Sequence, residues 1–312
     1  MNFQETLHFI KKNSDQVREA CFDLGGVSKV TNQYLFKNKL NELIPEFETA
    51  SAISIFNALK KLGFLTILTP QSGSDYLHDI YVFFPENHNI FTIANVFANN
   101  FYYSHHTALY LNQLTLNQSN TLYIKNNTKK ADVDRERGNF NQKRIDITFS
   151  KPMRKSNVIN YLSWSGKNYE IVMLEGLHIG EYGLKKLEMS ADFHSSIQYS
   201  DIEKTLIDIV VRPAYSGGVN TVVEAFSIAR DSVSVTKMAH YLNLLNMNYP
   251  YERNIALFMK KAGYDATMIN SFLSKISLKE VDYIFYLDYQ MINKQLDEEL
   301  KIYYPSNLLD NR

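Results

Sequence analysis

Cysteine is almost missing from this chain: Cys21 is the single one among 312 residues. That excludes an intrachain disulfide and any metal site built from several cysteines. Neither sign of charge is in excess. The 33 basic side chains balance 33 acidic ones, so no global field draws the chain to nucleic acid or to a membrane, and any such surface must be local. No apolar run approaches membrane-spanning length. The opening residues, MNFQETLHFIKKN, lack the basic-then-apolar order of a signal peptide, and a soluble cytoplasmic protein is expected. Glycine is sparse, and there is no glycine-rich phosphate loop, no G-x-S-x-G, no internal repeat and no low-complexity tract. Aromatic residues are plentiful, with 21 Tyr and 19 Phe in a chain that is 45% hydrophobic and 21% charged. Such a chain folds around a sizeable core, as one large domain or two ordinary ones.

In order along the chain, residues 2–24 read as one helix ended by Gly25-Gly26, and 29–43 as a second, closed before Pro45. A third helix is expected over 49–62. Thr49 is its candidate cap, Ile53, Phe56, Leu59 and Leu62 line its apolar face, and Gly63 stops it. Its other face carries Ser51, Ser54, Asn57 and Lys61, with Lys60 beside them. Two strands, 64–69 and 80–84, flank a polar turn around 70–74. Three helices and a hairpin are the order of a winged helix-turn-helix, whose last helix enters the major groove. Small polar groups and lysines there suit base edges and phosphates, with help from a wing near 71–74. An ordinary solvated face on a helical subdomain would have the same pattern. Charge does not choose between the two: residues 1–63 hold eight Lys/Arg and seven Asp/Glu.

Helices are expected over 89–99 and 104–114. His105-His106 invites a metal, but neighbours on a helix point about 100° apart and do not share one ion easily; no metal or other cofactor is expected. Residues 121–190 look strand-rich, with candidates at 121–125, 144–150, 169–174 and 184–189. The one basic region lies here, from Lys125 to Lys155, and it includes Lys129, Lys130, Arg135, Arg137, Lys143, Arg144, Lys151, Arg154 and Lys155. Ten basic side chains against four acidic ones leave +6. Such a run is either a solvated surface or a contact for phosphates or a partner.

The segment YSDIEKTLIDIVVRPAYSGG, 199–218, organises the remainder. Ser200 and Glu203 have the spacing of a capping box. Ile202, Leu206, Ile209 and Val210 recur at helical spacing, with Ile207 and Val211 beside them, which marks a core helix. Asp208 stands in its middle and needs a partner; Arg212, one turn on, is the candidate. Pro213 stops the helix. Further helices follow over 219–229, 236–245, 251–262 and 266–275, the last capped by Asp265, and then a strand near 283–287. Residues 277–312 carry four basic and seven acidic side chains, −3.

Several blocks resemble the AbiEi family, the antitoxins of type IV toxin–antitoxin systems: YYSHHTALYLNQLT (102–115), FSKPMRKSNVINYL (149–162), YSDIEKTLIDIVVRPAYSGGVNTVVEAF (199–226) and NYPYERNIALFMKKAGY (248–264). YLDYQM (286–291) and IYYPSNL (302–308) are similar to the family's C-terminal end. The resemblance spans about 100–308 and is weakest before residue 100; members often have Arg where Lys204 stands. It implies an α/β (α+β) protein with an N-terminal winged helix over 1–88 that represses its own operon by binding inverted repeats upstream, and a larger mixed α/β antitoxin domain over 89–312. The cognate toxin of such proteins, AbiEii, is nucleotidyltransferase-like, and neutralisation of such a toxin, in a phage-defence operon, is the implied activity. The basic region from Lys129 to Lys155 is the candidate surface for the toxin or for a nucleic acid on which it acts. No enzymatic activity is expected. The alternatives are a protein-binding module of a defence operon without DNA binding, and a metal-dependent nuclease using Asp208, Glu203 and Glu175.

Overall fold

A computed structural model describes residues 1–28, 33–72, 78–98, 100–126, 141–176, 181–190, 195–247, 249–276 and 282–310. The chain is a mixed α/β protein that divides into two compact units. The first comprises 1–99 together with 158–172 and 186–197; the second comprises 100–157, 173–185 and 198–312. The expected division at 88/89, with everything after it in one domain, differs from this one: two later segments belong with the N-terminal residues.

The N-terminal residues start with α1 (Phe3–Lys12) and α2 (Ser14–Asp23). A single helix is expected here from sequence, but Asn13 divides it. Its Nδ2 donates to the Phe9 carbonyl at 2.9 Å, the local side-chain bond that competes with helix continuation. Asn2 and Glu5 form a reciprocal capping box at the start of α1. Then come β1 (Val27–Ser28), α3 (Gln33–Leu43), a 3₁₀ turn (Pro45–Thr49), α4 (Ala52–Lys61), β2 (Leu65–Leu68), β3 (Gln71–Ser72) and β4 (Ile80–Phe83). The strands β1, β4 and β2 form an antiparallel sheet in that order, with Val27 opposite Val82 and Thr66 opposite Val82 on its other side. Helices and sheet share one core that includes Ile10, Val17, Cys21, Leu40, Phe47, Ile55 and Leu59. Phe36 stacks on Phe83 at 4.6 Å between centroids, and Phe56 meets both rings edge-on. Offset stacks and edge contacts of this kind add to simple burial.

After α5 (Ile90–Ala94), β5 (Phe101–Tyr103), α6 (His105–Leu111) and β6 (Thr121–Asn126), the chain forms α7 (Gln142–Ser150). The sequence pattern there predicts a strand, because Ile145, Ile147 and Phe149 alternate with polar residues. Tertiary contacts select the helix. Asn141 accepts from the Arg144 amide at 3.0 Å as the cap. Gln142 exchanges two hydrogen bonds with the Ile284 backbone, Asp146 accepts from the Tyr286 hydroxyl, and Phe149 stacks on Tyr286 and Tyr289. Positions 142, 146 and 149 share a helical face, and Ile147 is left outward.

Next come β7 (Ile159–Trp164), β8 (Lys167–Leu174), β9 (Leu184–Ser190) and β10 (Ser195–Ser200). Within the first unit β3 pairs with β7, Gln71 opposite Tyr161, and β7 pairs antiparallel with β8. Within the second, β5 pairs antiparallel with β6 and parallel with β10, Tyr199 opposite Tyr103. The strand β10 leads into α8 (Ile202–Val211), followed by α9 (Val219–Ala229), α10 (Val235–Leu245), α11 (Tyr251–Lys261) and α12 (Ala266–Leu273). A small sheet of β11 (Phe285–Tyr286), β13 (Ile302–Pro305) and β12 (Lys294–Asp297), in that order, ends the fold. Leu206, Ile207, Ile209 and Val210 of α8 are within 1% of full burial, in a cluster with Val222, Phe226, Met238, Phe258 and Phe272. The helix read from sequence as a core helix is one. Among the described residues no helix is long and apolar enough to cross a membrane.

Candidate nucleic-acid interface and a buried lysine–aspartate cluster

The face of α4 is built by its cap and its core. Ser51, not Thr49, is the N-cap: its hydroxyl oxygen accepts from the Ser54 amide at 3.1 Å. The two serine hydroxyls also bond each other at 2.9 Å. Thr49 instead accepts from the chain's amino terminus through both its carbonyl and its hydroxyl. With Ile55, Phe56, Ala58 and Leu59 turned into the core, about 100° per residue puts Lys60, Ile53, Asn57, Lys61 and Ser54 in that angular order on the remaining arc. Ser51, Asn57, Lys60 and Lys61 are exposed. Ile53, expected on the apolar face, is 68% exposed instead. On the helix it falls between Lys60 and Asn57, inside the outward arc, although its apolar type places it with the core residues. The stripe carries two lysines and no acid, and Lys61 also lies 5.6 Å from the centroid of the Phe3 ring. Glu46 and Glu48, both exposed, stand on the turn just before the helix.

The turn assigned to a wing is only partly available. Gln71 and Ser72 are a strand paired with β7, and residues 73–74 lie outside the described residues. In the basic region, Lys129, Lys130, Arg135 and Arg137 also lie outside them. Lys143 and Arg144 are exposed on α7, and Lys151, Arg154 and Lys155 are exposed on the segment that follows.

Lys125 separates from that set: it is buried on β6 and reaches Asp208. Its Nζ donates to Asp208 Oδ1 at 2.8 Å, and Lys204 Nζ stands 3.5 Å from Oδ2. The expected partner, Arg212, is not the one that holds this carboxylate. Arg212 is the C-cap of α8, at φ −141° and ψ 72°, so it leaves the helical track that i,i+4 spacing assumes, and its guanidinium turns to the Tyr289 hydroxyl at 3.5 Å. Burial would raise the Asp208 pKa; Lys125, then Lys204, reverse this and hold the carboxyl below its ordinary range. Burial lowers Lys204 to about 8, partly offset by Asp208. His105, packed edge-on against Tyr215, is pushed by burial to about 3 and is neutral at pH 7. It sits in the left-handed region at φ 49°. Within the described residues, Lys204 Nζ and the Tyr102 hydroxyl have no hydrogen-bond partner, although the ammonium lies 5.0 Å from the Tyr102 ring centroid. Gly183 closes over Lys204: a Cβ there would come 2.8 Å from Lys204 Cδ.

The capping box expected from Ser200 and Glu203 is also replaced. Asp201 caps α8, accepting from the Lys204 amide at 2.9 Å. The Ser200 hydroxyl pairs with that of Thr205 at 2.8 Å. The Glu203 carboxylate accepts from the Ser234 amide and from Lys237, each at 2.9 Å, and so ties α8 to the start of α10. Glu203 and Asp208 are therefore committed to amide and ammonium donors, whereas Glu175 is exposed. His105 and His106 are both buried. Among the described residues no group of three or more His, Cys, Asp or Glu is placed to hold a metal ion.

No family model and no curated protein matches the chain. Among solved structures, the crystal structure of the RV2827C protein from Mycobacterium tuberculosis matches with a TM-score of 0.56 over 93% of this chain and 90% of that one, at 12% identity. At that identity the likeness is one of fold, and it extends over nearly the whole of both chains.

Proposed function

We propose that this protein is a DNA-binding regulator and antitoxin of the AbiEi kind, acting in the cytoplasm without catalytic chemistry of its own. The observation that carries the DNA-binding half is the outward stripe of α4: an acid-free face with two lysines and an asparagine, on a helix that shares its core with the β1–β4–β2 sheet. That element order agrees with a winged helix-turn-helix, in which this helix lies against base edges and the lysines neutralise phosphates. The antitoxin half rests on the sequence blocks of 102–308, which fall mainly in the second unit. The exposed Lys143, Arg144, Lys151, Arg154 and Lys155 are its proposed contact with an acidic partner surface or a nucleic acid.

A nuclease reading loses support from the charge arrangement. Two ammonium groups on Asp208 repel a metal ion from the very carboxylate that would bind it. The test is a gel shift on the DNA upstream of the gene across a salt series. A complex is expected at low salt that weakens steeply as salt rises, and Lys60→Ala with Lys61→Ala should reduce the salt slope by about two units. No complex at low salt removes the regulator half. Co-expression of the toxin with wild type and with the Lys143, Arg144, Arg154 and Lys155→Glu variant tests the other: loss of growth rescue by a folded variant is the expected result.

A further inference from the structure

Ile53 is the residue of α4 that neither the core nor solvation explains. It is 68% exposed, one turn before Asn57 and beside Lys60 on the outward arc, in a helix whose other large apolar side chains, Ile55, Phe56 and Leu59, are buried. Exposing a β-branched residue at the centre of a polar, basic stripe leaves its apolar surface in water. The chemistry around it selects one class of occupant. Two lysines and no acid on the stripe complement a polyanion. An amide side chain suits the paired donor and acceptor of adenine in the major groove, and a branched aliphatic group suits the 5-methyl of thymine.

We infer that Ile53 and Asn57 form a reader of adjacent A·T pairs, with Ile53 on a thymine methyl and Asn57 on the adenine N6 and N7 edge, while Lys60 and Lys61 hold the phosphates. The inference rests on the DNA-binding reading and adds to it the bases that are read and the residues that read them. The order along the helix fits. Ile53 and Asn57 lie on its first two turns, the end that such helices direct at base edges, and the lysines lie on its last turn, where side chains reach the backbone.

The test starts from a random-sequence duplex pool selected by the full chain, by Ile53→Ala and by the Lys60→Ala/Lys61→Ala double variant. Wild type is expected to enrich a site containing thymine beside adenine. Ile53→Ala should lose the thymine preference, and the double lysine variant should weaken on all sequences alike. Ile53 is exposed, so its replacement leaves thermal stability unchanged. The decisive measurement alters the DNA and not the protein: replacing the selected thymine by uracil removes only the methyl group. Wild-type affinity should fall about fourfold, the worth of burying one such group, and the affinity of Ile53→Ala should not change. A selected site whose affinity is indifferent to the uracil replacement, or that Ile53→Ala selects equally well, overturns the inference while leaving DNA binding intact. A pool from which the wild type retains no DNA at low salt overturns the DNA-binding reading, and this inference with it.

Discussion

Asp208 is held by two ammonium groups from different parts of the chain, and that determines what its loss would do. Asp208→Asn leaves Lys125 and Lys204 buried without a counter-charge, and the expected cost is about 3–5 kcal/mol, the range for removing one partner of a buried pair. Chemical denaturation measures it; a variant as stable as wild type would place the charges elsewhere. Lys204 has a separate signature in pH. Its folded value is about 8 against an ordinary 10.5. Below pH 8 both folded and unfolded chains hold the proton, and the folded state carries the burial penalty in full. Between pH 8 and 10 the folded state releases the proton while the unfolded chain keeps it, so stability rises with pH through that window. The rise is on the order of 2–3 kcal/mol from a shift of this size. Lys204→Met should lack the rise. Melting temperatures of both proteins at pH 7, 8, 9 and 10 check it.

At the scale of the element, α4 gains its outward stripe from what its neighbours bury. Phe56 is committed to Phe36 and Phe83, and Ile53, three residues earlier, is left on the outward arc in solvent. The turn before the helix works against the stripe, because Glu46 and Glu48 put two negative charges near the end that would meet a nucleic acid. Glu46→Gln with Glu48→Gln should therefore tighten DNA binding several-fold at low salt, with the gain shrinking as salt screens it. Gel shifts at two salt concentrations read this directly, and unchanged affinity at low salt would mean that the turn faces away from the DNA.

At the scale of the molecule, the segments 158–172 and 186–197 pack with the N-terminal residues. The sequence suggests that a piece starting near residue 90 is self-sufficient, since each side of that boundary has apolar faces enough for a core. In the structure such a piece keeps the core around α8 but removes β3, the partner of β7. A chain beginning at residue 90 is expected to unfold cooperatively through its α8 core while being cut readily within 158–197. Limited proteolysis compared with the full chain measures this; equal resistance in that stretch would restore the simpler division at 88/89. Growth rescue by the truncated chain then reports on antitoxicity only where the stretch remains uncut.

The helical and apolar periodicities of α4, α8, α9 and α11 were legible in the sequence, because stops and apolar spacing are local properties of a helix, although Ser51 and Asp201 cap α4 and α8 in place of Thr49 and Ser200. Asp265 as the cap of α12 is of the same kind: it accepts from the Met268 amide at 2.7 Å. Contacts distant in sequence decided the rest. Spacing alone made Lys204 and Arg212 equal neighbours of Asp208, and the acid-before-base order favours Arg212. The break in helical geometry at Arg212 and the arrival of Lys125 from 83 residues away reversed that choice. Residues 144–150 alternate like a strand, yet three side chains on one helical face find partners on the C-terminal segment. Ile53 shows the same division. Its apolar character and helical register belong to the sequence, but which way it faces was decided by the rings that fill the core, because a helix beside a finite core buries only the arc that its neighbours can cover.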